Sequence, residues 1–262
     1  MRTWLYNFLS RSCDKRKPAC DPAVFLHIQK TAGTSLVNLA ARQYGEENII
    51  THSDYVGRDP QSLASIPFVS GHFGYDYAKN LIRSRKSFTF LRDPTERILS
   101  LYYFYRSQDP SLFPMYQIAH ECTLSEFLRR GLEDPYMRAR LWNNQTWQLA
   151  HGYGATDGKT MASFSPEELI RLALEHLREF SFVGLTENYD ADASKVVELL
   201  GWSVDVDEFR ENVNIGRKSA KDLSDEEAAL IKEFTALDDV LYQHVKTGAH
   251  ANSIVEIETN AD

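Results

Sequence analysis

Lys30, Gly33, Thr34 and Ser35 crowd into one short stretch of Val24-Phe-Leu-His-Ile-Gln-Lys-Thr-Ala-Gly-Thr-Ser35. These residue types suit a grip on phosphate. Lysine brings a full charge, glycine lets the backbone come close, and the hydroxyls donate hydrogen bonds. The apolar run Val24 to Ile28 reads as a strand, and Leu36-Val-Asn-Leu-Ala-Ala-Arg42 as a helix. Strand, turn and helix in that order leave free amides and the positive end of a helix dipole at the loop, where an anion is favoured. The loop is not of the Walker A kind, in which lysine follows the glycine; here it precedes it.

A second segment repeats the logic. Ser87-Phe-Thr-Phe-Leu91 reads as a strand and runs into Arg92-Asp-Pro-Thr-Glu-Arg-Ile-Leu-Ser100. Pro94 suits a first helical turn, where its missing N–H costs nothing. Arg92 then lies at a strand's carboxyl end, where open α/β sheets hold ligands, and offers a planar fork to phosphate oxygens. Ser100 adds a hydroxyl two turns on. The plainer alternative is that Arg92 pairs with Glu96 and Ser100 only packs.

Together the two segments resemble the cytosolic and Golgi sulfotransferases, above all the carbohydrate branch with the heparan sulfate 2-O- and 6-O-sulfotransferases. The resemblance implies an α/β fold of P-loop-like type, a three-layer sandwich with a central parallel sheet flanked by helices. It implies transfer of a sulfuryl group from PAPS (3′-phosphoadenosine 5′-phosphosulfate) to a hydroxyl, leaving PAP and requiring no metal. Lys30, Thr31, Ala32, Gly33, Thr34 and Ser35 match the loop that grips the 5′-phosphosulfate. Arg92 and Ser100 match the grip on the 3′-phosphate, and Arg217 with Lys218 are candidates for a C-terminal clasp. Ser70-Gly-His-Phe73 resembles the segment that carries a catalytic histidine in the 2-O-enzymes, which makes His72 the expected general base and Lys30 its catalytic partner at the leaving phosphate. Asn143 to Thr146, Val183 to Glu187 and Asn212 to Asn214 are fainter matches. Asn144 and Glu187 are candidates to orient the acceptor. His27 reads either as a poorer base or as a satisfied core histidine.

The 262 residues, 43% hydrophobic and 25% charged, suit one soluble α/β domain. A net charge of −8 argues against nonspecific nucleic-acid binding. A local basic groove has candidates in Arg83, Arg85 and Lys86, or in Arg129, Arg130, Arg138 and Arg140; otherwise these cover solvated helix faces. Cys13, Cys20 and Cys122 are too few and too scattered for a disulfide framework or a zinc site, although Cys13 and Cys20 are able to pair if the chain is exported. No apolar run is long enough to span a bilayer, and the expected setting is a soluble, cytoplasmic, bacterial protein. The acceptor expected from the resemblance is a saccharide or glycolipid, and the oligomeric state is open.

The remaining elements follow from pattern. Further strands are expected at Asn48 to His52, Ile66 to Ser70 and Phe182 to Leu185, with a helix over Tyr75 to Arg83. The stripe Leu101-Tyr-Tyr-Phe-Tyr105 has core spacing, which places Tyr102 and Tyr105 inside. Ser165-Pro-Glu-Glu168 and Ser224-Asp-Glu-Glu227 are capping boxes, the first opening a helix to about Phe180. Residues 1–20 form an N-terminal segment, 21–247 a single domain with a helical acceptor-side insert at about 110–163, and 248–262 a disordered tail. Two rivals remain: an ATP-dependent small-molecule kinase, for which Asp93 is the tempting magnesium ligand unless it caps the next helix, and an inactive nucleotide-fold binding protein.

Overall fold

Ala23–Leu26 (β1) has no exposed face, which is the pattern of a strand at the centre of a parallel sheet. It is joined by Ile49–Ile50 (β2), Phe68–Gly71 (β3), Lys86–Leu91 (β4) and Phe182–Leu185 (β5) in a computed structural model that describes residues 20–204 and 217–248. The sheet order is β2-β3-β1-β4-β5, and every pairing is parallel. The described helices are α1 (Gly33–Tyr44), α2 (Tyr75–Ser84), α3 (Pro94–Ser107), α4 (Pro114–Glu121), α5 (Leu124–Glu133), α6 (Pro135–Leu141), α7 (Asn144–Ala150), α8 (Pro166–Leu177), α9 (Tyr189–Leu200) and α10 (Asp225–Lys246).

Alternation along the strands sorts the core into layers. Phe25, Phe68, Phe88 and Phe90 pack with Leu36 and Leu39 of α1 and Val196 and Leu200 of α9. Val24, Leu26, Val69 and Leu91 pack on the other face with residues of α2, α7, α8 and α10. A third apolar cluster joins α3, α4, α5 and α6 to Phe234 and Ile231 of α10. The result is the expected three-layer α/β sandwich, with a helical annex beside the carboxyl ends of the strands' central members. No helix among the described residues is long and apolar enough to cross a membrane.

Several boundaries differ from the sequence reading for local reasons. The strand expected over Asn48 to His52 is only Ile49–Ile50, because His52 adopts a left-handed backbone (φ 48°) that ends the extended run. The helix opened by Ser165 stops at Leu177, and Ser165 caps it by accepting from the Glu168 amide at 3.2 Å. Ser224 and Glu227 form the reciprocal capping box of α10. The expectations for the N-terminal segment, Cys13, Asn212, Asn214 and the tail lie outside the described residues.

Candidate active site

The turn after β1 is tied at both ends. The His27 amide continues the sheet by donating to Gly71 O at 3.0 Å, and the Thr31 hydroxyl donates back to Ile28 O at 2.8 Å. Lys30 (φ 71°) and Ala32 (φ 64°) are left-handed and Thr31 between them is not. Such alternation of hand makes the concave backbone nests that hold anions, and two non-glycine residues in this region cost about 1–2 kcal/mol each. Strain of this kind collects at functional sites. Thr31 departs from the expectation: its hydroxyl is fully buried and spent on the turn, whereas Ala32, Gly33, Thr34 and Ser35 line the adjoining cleft.

Gly33 is required by its neighbour more than by its backbone angle. A Cβ there would sit 2.1 Å from His27 Nε2. Gly33→Ala is expected to lose about 1–3 kcal/mol of stability, the usual scale for overpacking. Thermal unfolding measures it, and an unchanged melting temperature would contradict the contact.

Lys30 and Arg92 share one cleft of about 850 Å³ with His72 and Ser100. Arg92 Nη1 donates to Lys30 O at 3.1 Å, so the two expected phosphate grips are joined through the backbone. Lys30 Nζ lies 4.0 Å over the Phe104 ring, with no carboxylate partner among the described residues. Burial, then the charges of Arg92 and Arg217, lower its pKa to about 8. Arg92 is largely buried, and its Nε has no hydrogen-bond partner. The alternative pairing with Glu96 is only a 4.0 Å contact, because Glu96 is held at 2.6 Å by Arg217 and also accepts from the Ala220 amide. Among the described residues the cleft lining holds three cations, Lys30, Arg92 and Arg140, against one carboxylate, Asp190, a balance that suits a polyanion. Lys218 is turned away: both oxygens of Glu227 accept from its ammonium at 2.9 Å.

Helix α7 holds these pieces in place. All seven of its residues are buried, although five are polar or indole-bearing. Gln145 accepts from the Arg92 amide and donates to the Arg92 carbonyl, both at 2.9 Å. Gln148 donates to His27 O at 3.2 Å and to Phe73 O at 2.9 Å. Two glutamines therefore clamp the chain just beyond β1, β3 and β4. Buried Asp238 of α10 anchors the helix start by accepting from the Thr146 amide and hydroxyl at 2.7 and 2.8 Å. Asn144 and Glu187 are used structurally, not toward an acceptor: Asn144 donates to the Tyr153 hydroxyl, and Glu187 accepts from the Asp93 amide. Asp93 caps α3 by accepting from Glu96 N at 3.0 Å, which spends the carboxylate a kinase would need.

His72 enters from the end of β3 with its tautomer set. Its Nδ1 lies 2.8 Å from His27 O, and a carbonyl only accepts, so Nδ1 carries the proton and Nε2 keeps the lone pair. Burial lowers its pKa to about 4 against the opposing pull of that hydrogen bond, and His52 and Lys30 push it the same way as burial. The imidazole is neutral at pH 7. His27 is not a satisfied core histidine: it is 4% exposed, its pKa is well below the ordinary value because of burial, and its Nδ1 has no partner. His52, missed in the sequence, completes a triangle with ring centroids 5.7 Å from both others. It stands just past a strand's carboxyl end, as His72 does, and that shared position was the available signal.

The annex supplies the remaining wall with Phe104, Phe113, Tyr116 and Arg140. Arg140 stacks 3.6 Å over the Tyr136 ring, which keeps its guanidinium beside the cleft. Of the other basic candidates, Arg83 pairs with Glu179 at 2.7 Å, Arg129 with Glu226, and Arg85 donates to the carbonyls of Leu63, Ala64 and Ile66. Tyr102 is core, its hydroxyl donating to Cys122 O, whereas Tyr105 is buried yet lines the cleft.

No curated protein sequence matches this chain. Among solved structures it is similar to mouse sulfotransferase SULT7A1 complexed with PAP, at 14% identity, over 83% of this chain and 76% of that one, with a TM-score of 0.40. The model of the sulfotransferase family matches residues 20–246, a span that takes in the nest, Arg92, His72 and the clamp of α7. The chain belongs to the sulfotransferase family.

Proposed function

We propose that this protein transfers a sulfuryl group from PAPS to a hydroxyl on a carbohydrate or glycoconjugate. The observation that carries the reading is the one cleft that Lys30, itself part of the left-handed loop before α1, shares with Arg92, whose contact with the Glu96 carboxylate is a long 4.0 Å. The residues present fit the nucleotide. Ala32, Gly33, Thr34, Ser35 and Lys30 would hold its 5′ end, and Arg92 and Ser100 its 3′-phosphate, with the buried Arg92 Nε one of the donors still to be satisfied. Arg217 adds charge near Lys30 and Arg92 through its place on Glu96. When bound, PAPS supplies an activated sulfuryl group and leaves as PAP.

The chain's own part is positioning and charge. His72 Nε2 receives the acceptor's proton as the new oxygen–sulfur bond forms, and the Nδ1–H bond to His27 O holds the ring in the accepting tautomer. Lys30, drawn by burial toward neutrality, regains full charge beside the oxygen on which negative charge grows. The rings of Phe104, Phe113 and Tyr116 offer flat apolar faces of the kind that pack on a pyranose, and Arg140 gives that wall a polar end.

Thermal stabilisation is expected with PAP in EDTA and not with ATP and magnesium. Incubation with labelled PAPS and a panel of saccharides, glycolipids and phenols is then expected to label a saccharide-bearing acceptor. Stabilisation by ATP and magnesium alone would favour the kinase reading, and PAP binding with no labelled product would favour the inactive one.

A further inference from the structure

Three adjacent strands each deliver a histidine to the same corner of the cleft. In sheet order β2, β3 and β1 are neighbours, and His52, His72 and His27 follow their carboxyl ends. Register brings them together: Leu26 of β1 lies beside Gly71 of β3, so His27 and His72 are next in line, and Ile50 of β2 lies beside Val69. The His72 amide donates to His52 O at 3.1 Å, which fixes the third loop against the second. Each histidine offers one ring nitrogen, and these nitrogens all lie within 4.8 Å of one another.

We infer that His27, His52 and His72 form a binding site for a divalent transition metal ion of zinc's class, with its remaining position open to the cleft. Three imidazoles and one open position are a donor set that zinc accepts, with Zn–N bonds of about 2.0–2.1 Å. Tetrahedral bonds of that length put the nitrogens about 3.4 Å apart, so the triangle has to tighten. The exposed His52 ring has the freedom to close it. Two further observations point to an ion. His72 already donates Nδ1–H to a backbone carbonyl, the outer-shell bond that orients metal-ligating histidines, which leaves Nε2 as the ligand. Buried His27 has a ring nitrogen, Nδ1, with no hydrogen-bond partner, a deficit that calls for an explanation.

One consequence rests on the proposed role of His72. A metal on Nε2 occupies the lone pair that takes the acceptor's proton, so the ion acts as a reversible inhibitor of transfer.

Co2+ is the probe, because a four-coordinate nitrogen site gives it intense visible absorption. Titration of the whole protein is expected to develop that absorption, and Zn2+ to abolish it. His52→Asn keeps a residue that tolerates the left-handed conformation. It is expected to weaken Co2+ binding by about 100-fold or more, no less than loss of an outer-shell partner does. Retained PAP binding shows that the variant is folded. No four-coordinate spectrum in the wild type, or a His52→Asn titration within about tenfold of it, overturns the site. Zn2+ is also expected to slow transfer in the wild type at concentrations that leave His52→Asn, relative to its own metal-free rate, unaffected. Failure of the base reading shows separately, as turnover that survives both Zn2+ occupancy and His72→Ala while the Co2+ spectrum of the wild type stands.

Discussion

His72→Ala is expected to lose turnover by about 100-fold or more, the usual contribution of a general base, while PAP affinity stays within a few-fold of the wild type. The split follows from the geometry. His72 faces the cleft with an unprotonated Nε2, but its structural bond is a single Nδ1–H to His27 O, and Gln148 continues to hold that carbonyl when the ring is gone. The pH profile gives an independent check. A base must be neutral to accept a proton, so the rate falls as pH falls through its pKa. Burial has moved that pKa down to about 4, so kcat/KM is expected to remain level through the pH range where an ordinary imidazole would titrate. An acid limb near the ordinary histidine value, absent in His72→Ala, would keep the base and contradict the buried, neutral state described for it. Wild-type turnover in the variant removes His72 from the mechanism.

Lys30→Ala is expected to cost about 100- to 1,000-fold in turnover, the scale seen when one preorganised donor to a developing negative charge is deleted. The wild type carries a matching signature in binding. Lys30 has a pKa of about 8 in the free protein, and a phosphate beside it favours the charged form. Affinity for PAP is therefore level below that pH and declines above it, as the lysine gives up its proton before the ligand arrives. In Lys30→Ala that alkaline decline is expected to vanish. Isothermal titration of PAP across the pH range reads both slopes, and an identical decline in the variant would assign it to another group.

Much of this site was legible because it is local. The nest, the proline-opened helix after Arg92 and the histidine after Gly71 are each written within a few consecutive residues, and each position at a strand's carboxyl end follows from alternation of strand and helix. The choice of hydrogen-bond partner is not local. Thr31 and Lys218 have the residue types for phosphate, yet Ile28 O and Glu227 claim them in the fold. Glu187 and Asn144 were read as acceptor ligands for the same reason and serve Asp93 and Tyr153 instead. The clamp of α7 was visible only as a polar stretch, since Gln145 and Gln148 find partners 53 and 121 residues away. Gly33 was expected to make room for a ligand, and it makes room for His27. His52 escaped notice because the strand before it was taken as longer than it is, which put the histidine within a strand instead of at its working end.

The proposed function requires the Lys30 loop and Arg92 to clasp the two phosphate ends of one nucleotide. The most direct measurement is the affinity of wild type and Arg92→Ala for PAP and for adenosine 5′-monophosphate, which differ only in the 3′-phosphate. Loss of charge-assisted bonds from a buried guanidinium, about 1.5–3 kcal/mol, corresponds to roughly 10- to 200-fold. The wild type is expected to prefer PAP by at least that margin, and Arg92→Ala to bind both nucleotides nearly alike. A variant that still prefers PAP as strongly as the wild type does would place the 3′-phosphate elsewhere and contradict the account.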